Sequence, residues 1–142
     1  MSTRVTGRPN DLARQLLVFE TRKAANPTSS PALSVCEKMR EPLGKLLGVD
    51  GFRSLVSRAL VIAGSEIAWL RGIEIAPGGG LRFAEGARAK LSPAQVEDGE
   101  VALVAELLGL LVTFIGSYLT EQLLHGIWPK LRSLNSPKEG AS

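Results

Sequence analysis

From Val101 to Trp128 the chain is almost wholly apolar, interrupted by only two carboxylates, Glu106 and Glu121. A helix of that composition is a buried core axis, a membrane segment or a partner-binding face. Its longest charge-free run, Leu107 to Thr120, is fourteen residues, whereas a bilayer span needs roughly 20. A glutamate near the middle of a span also opposes insertion. On a helical wheel Glu106, Thr113, Ser117, Thr120 and Glu121 gather in one narrow polar stripe. A helix apolar around most of its circumference is expected at the centre of a bundle. The small residues Ala105, Gly109, Thr113, Gly116 and Thr120 would let another backbone approach, which makes them the candidate packing or interaction seam. Each interior glycine costs roughly 1 kcal/mol relative to alanine, so a packing reason is expected for both.

With 142 residues, 44% hydrophobic and 22% charged, the chain suits one globular domain. Aromatics make up only 5%, so aliphatic side chains fill the core and helices are favoured. The single cysteine, Cys36, excludes an intramolecular disulfide and fits a reducing compartment. No secretory pattern opens residues 1–10, and a cytoplasmic location is expected. The net charge of +3 is uneven: residues 1–60 carry ten Lys/Arg against five Asp/Glu, residues 61–128 four against eight. Halves of opposite sign can pack together or assemble head to tail.

Punctuation along the chain predicts a flexible arm over 1–10, a helix over 11–24 capped by Asn10 or Asp11, and a linker over 25–33. Ser34-Val35-Cys36-Glu37 reads as a capping box opening a helix over 34–48, kinked at Pro42 and stopped by Gly48. A further helix follows over 51–70, with Arg53, Ser54, Ser57 and Arg58 on its polar face. Ile73-Glu74-Ile75, Pro77-Gly78-Gly79-Gly80 and Leu81-Arg82-Phe83 predict a β-hairpin over 73–83, leaning on the helices. Ser92-Pro93 opens the helical region 92–128, and 133–142 forms a flexible tail. The fold expected is mainly α: a compact bundle of about four helices around the C-terminal apolar helix, a single domain over 11–132, with one short hairpin. No internal repeat is visible.

Chemistry is sparse. His125 has no nucleophile or orienting group near it in sequence, and it fits a role in the last helical turn. Cys36 lies on an apolar stripe and reads as a core residue. One His and one Cys do not make a zinc site without carboxylates. The glycines at 78–80 lack the Lys-Ser/Thr and following helix of a phosphate loop. Glu66 falls inside an apolar arc, which would demand a partner such as Arg58 or Arg71 if buried. A carboxylate enzyme built on Glu66 and Glu106 requires the two within hydrogen-bond reach. The basic N-terminal part lacks the aromatic residues that stack on nucleic-acid bases.

The runs Val35–Arg40, Gly51–Leu60 and Leu107–Gly116 resemble a set of small bacterial helical proteins to which no activity attaches. The resemblance covers most of residues 33–130 and implies a bacterial origin; it transfers no site residues. No catalytic, cofactor-binding or metal-binding residues are assigned. The role expected is a non-enzymatic adaptor or regulatory module that binds a protein partner or itself through apolar helix surface. A membrane-active effector that releases the 101–128 helix ranks second, and a nucleic-acid-binding regulator below it.

Overall fold

The structure, a computed structural model, describes residues 7–23, 30–83 and 90–131. It is mainly helical. Three helices, α1 (Gly7–Lys23), α2 (Pro31–Glu66) and α3 (Pro93–Ile127), accompany strands β1 (Ile73–Ile75) and β2 (Leu81–Phe83). The expected arm over 1–10 is helical from Gly7 onward, which places Asn10 and Asp11 inside α1 and not at its cap. The rest of that arm, most of the 25–33 linker and the 133–142 tail lie outside the described residues.

Helix α2 starts earlier than its sequence suggests. Ser30 is the cap: its Oγ accepts the Leu33 backbone N–H, and Pro31 takes an opening position where its missing N–H costs nothing. The Ser34–Glu37 quartet is therefore interior helix, and helix also continues through Pro42.

Both ends of α2 meet neighbouring residues of α3. Ser30 Oγ donates to Glu100 Oε2 at 2.5 Å. The indole of Trp69, just past α2, covers Gly99 so closely that a Cβ there would collide with it. A straight 36-residue helix would be roughly 54 Å long, so α2 must double back. The turning point is Gly48, at φ 83° and ψ 161°, a region essentially restricted to glycine.

Helix α3 does the same at Gly116, φ 88° and ψ 160°. From Glu100 to Phe114 it keeps pace with α2 from Ser30 to Leu47. Beyond Gly116 it returns: Leu119 shares a cavity wall with Leu46, and Gly126 and Ile127 share it with Glu41 and Pro42. The burial patterns match as well. At the separation that carries Gly48 onto Gly116, buried Val35, Cys36, Met39, Leu43, Phe52 and Val56 fall on buried Leu103, Val104, Leu107, Leu111, Thr120 and Leu124. The two helices repeat each other in shape and burial.

The apolar C-terminal helix is thus not one continuous central axis. Residues 99–111 supply core, whereas Thr113, Phe114 and residues 116–119 are exposed. One helical phase does not hold through 101–128, because the break at Gly116 resets it. Thr113 and Ser117 face solvent while Thr120 is fully buried.

Helix α1 docks on this pair through Leu12, Ala13, Leu16 and Leu17. Helix α2 ends at Glu66, short of the expected Leu70. Ile67 is extended, Arg71 Nε donates to the Gly64 carbonyl at 3.0 Å, and residues Ala68–Gly72 form a 3-10 turn. That guanidinium satisfies a carbonyl left open at the helix end. The hairpin matches its sequence signal: β1 and β2 are antiparallel, with Ile73 opposite Phe83 and Ile75 opposite Leu81. Gly79, at φ 98°, sits in the turn against the Phe52 ring, so the hairpin leans on α2. At the start of α3, Ser92 and Gln95 form a reciprocal capping box with Pro93 following the cap.

Candidate functional site at the helix turning points

Of the small-residue seam, Ala105 is half-buried against the core. At Gly109 and Gly116 an added Cβ would meet no atom within 4 Å. Among the described residues no crossing helix packs on either glycine, which corrects the close-packing expectation. Gly116 serves the backbone turn. Thr113 is exposed and donates its hydroxyl to the Gly109 carbonyl, and Thr120 donates to the Gly116 carbonyl at 2.8 Å. The Thr120 hydroxyl is thus buried with a partner.

What the turning points build is an apolar rim. Leu47 and Phe114 line one cavity, with Gly51, Leu55 and Arg58, so the two breaks lie side by side at one end of the molecule. Around them Leu46, Val49, Phe114, Tyr118 and Leu119 project into solvent. These are five of the eight large hydrophobic side chains exposed among the described residues. Tyr118 is 74% exposed and Phe114 62%. Single apolar residues are ordinary on a protein surface, and a cluster of five beside one feature is less so. The cause is local: at a reversal, residues on the outer side of each helix lose their neighbours. The signal in sequence was a glycine set between large apolar residues, in Leu46-Leu47-Gly48-Val49 and Phe114-Ile115-Gly116.

The two carboxylates singled out by sequence feel each other's charge without sharing a hydrogen bond among the described residues. Glu66 is exposed at the last position of α2, where the helix end frees it from the apolar arc. Neither Arg58 nor Arg71 pairs with it; Arg71 is engaged by the Gly64 carbonyl. Glu106 is half-buried, and desolvation followed by the charge of Glu66 pushes its carboxyl above the ordinary value.

The buried polar groups act as joints. Glu20, 5% exposed, accepts from Lys38 Nζ at 2.7 Å and from the Trp128 indole N–H at 2.9 Å, tying α1 to α2 and to the end of α3. The His125 ring nitrogens lie 2.9 Å from the Glu121 carbonyl and 2.8 Å from that of Leu131. Cys36 is buried, and desolvation, then the charge of Glu37, pushes its thiol up to about 12. No group of His, Cys, Asp and Glu among the described residues could hold a metal ion. Comparison with protein families, with curated proteins and with solved structures found no match.

Proposed function

We propose that this protein is a non-enzymatic helical interaction module. In this reading the helical segments either side of Gly48 and Gly116 pack as a four-helix bundle, and its turning end binds a second copy of the chain or a protein partner. The observation that carries it is the apolar rim: Leu46, Val49, Phe114, Tyr118 and Leu119 exposed together beside the two breaks. Side chains of that size present on the order of several hundred Å² of apolar surface, the upper end of what isolated monomers show. Each copy offers the same patch, so a two-fold pairing of rim against rim would bury it symmetrically. Sedimentation equilibrium tests this: the wild type should associate with rising concentration, and Tyr118→Glu with Leu119→Glu should remain monomeric with unchanged helical content.

A second reading, a membrane-active effector, draws on one observation. Helix α3 is long and apolar enough to cross a bilayer, with a mean hydropathy of 2.0 in its best window and only 39% of that window buried. Dye release from anionic vesicles tests it, and intact vesicles at neutral and acidic pH would dismiss it. Nucleic-acid binding draws less support. Arg14, Lys38, Arg40 and Lys45, from the basic N-terminal part, each hold a carboxylate.

A further inference from the structure

Beside the rim, the outward face of residues 49–66 and strand β1 border an open surface cavity of about 480 Å³, lined by Arg53, Ser54, Ser57, Arg58, Val61 and Ile75. Its polar lining is two guanidinium groups and two hydroxyls, with no carboxylate among them. The Arg53 Nε is buried and has no hydrogen-bond partner. Neither arginine forms an ion pair among the described residues, and Asp50, one turn earlier, pairs with neither. A buried cationic donor without an acceptor is costly, and an anion beside the guanidinium would offset its charge.

A second cavity, of about 330 Å³, adjoins the first and shares Ser54 and Arg58 with it. The rest of its wall is Leu47, Gly51, Leu55 and Phe114, all apolar. One cavity thus offers oxyanion donors, and the next a place for hydrocarbon. Guanidinium forks match phosphate oxygens geometrically, and serine hydroxyls complete such a site.

We infer that these paired cavities bind a small phosphate-bearing amphiphile, its phosphate monoester held by Arg53, Arg58 and the two serines and its hydrocarbon chain lying over Leu47, Leu55 and Phe114. The site shares Phe114 with the rim, but its phosphate-binding half lies outside the rim and stands whether or not the rim joins two copies. The test is a phosphorus NMR titration of the full chain with inorganic phosphate and, in parallel, with octyl phosphate below its micelle concentration. Both probes should bind saturably, octyl phosphate about tenfold or more tighter because its chain leaves water. Arg53→Gln and Arg58→Gln should each weaken both probes about tenfold, the effect of losing charge-assisted hydrogen bonds. Phe114→Ser should weaken octyl phosphate alone. Arg82→Gln, which removes a hairpin cation already paired with Glu74, should change neither.

Circular dichroism reports whether each variant is folded, and the exposed Arg58 carries the test if Arg53→Gln is not. Absence of saturable binding for both probes at millimolar concentration would overturn the inference, as would unchanged binding in the folded arginine variants. Equal affinity for the two probes would overturn the apolar half of the site. A protein that stays monomeric yet binds octyl phosphate through Arg58 would sink the association reading and leave this site standing.

Discussion

A methyl group added at Gly116 or Gly48 meets no atom within 4 Å, yet both residues hold a positive φ with extended ψ. That conformation costs an L-residue about 1–3 kcal/mol. Gly48→Ala and Gly116→Ala should each lower stability by about that amount in urea denaturation. Gly109 has the same open space and ordinary helical backbone, so Gly109→Ala should raise stability by about 0.5–1 kcal/mol. A loss at Gly109 would show that something packs there. Sequence shows that a residue is glycine without showing which of its two properties, small size or left-handed backbone, is in use. That is why Gly109 and Gly116 looked alike within one seam. Glu106 gives a pH signature. Its carboxyl is raised in the fold, so its stabilising contribution is complete below the ordinary value of 4.5 and is lost as pH rises through the folded-state value. Glu106→Gln should accordingly raise the melting temperature at neutral pH and leave it nearly unchanged in acid; a gain equal at both would contradict the cause given.

Among the elements, those announced by local chemistry were legible. Ser92-Pro93 with Gln95 marks the start of α3 because cap, proline and return hydrogen bond all act within one turn. The hairpin over 73–83 follows from its glycine turn and the alternation of Ile73-Glu74-Ile75. The break at Gly48 was legible as a glycine stop between two helices; that at Gly116 was not, since a hydrophobic stripe continues in composition across it while the chain changes direction. The joints were hidden for a different reason: Glu20 meets Lys38 and Trp128 across large sequence separations. Glu20→Ala should leave the Trp128 indole N–H without its acceptor and cost about 1–3 kcal/mol. Hydrogen exchange should then quicken in α1 and in the last turn of α3 together, because one carboxylate holds both. Faster exchange in α1 alone would show that Trp128 is held by other contacts.

At the scale of the molecule, α2 and α3 repeat the same bent form with aligned burial, though glycine at the turn is nearly all their sequences share there. Burial needs only an apolar side chain of suitable size, so the repeat lives in pattern and not in identity. Doubling back brings both turns to one end, and the apolar rim follows from that placement. The rim can be watched directly. Cys36 is buried with its thiol raised to about 12, so it should resist labelling, and a cysteine introduced at Val49 offers one reactive site. With a nitroxide there, concentrated protein should show dipolar coupling between copies, abolished by dilution with unlabelled protein and absent from a label at exposed Arg22 on α1. No coupling at position 49, or equal coupling at both positions, would contradict an association built on the turning points.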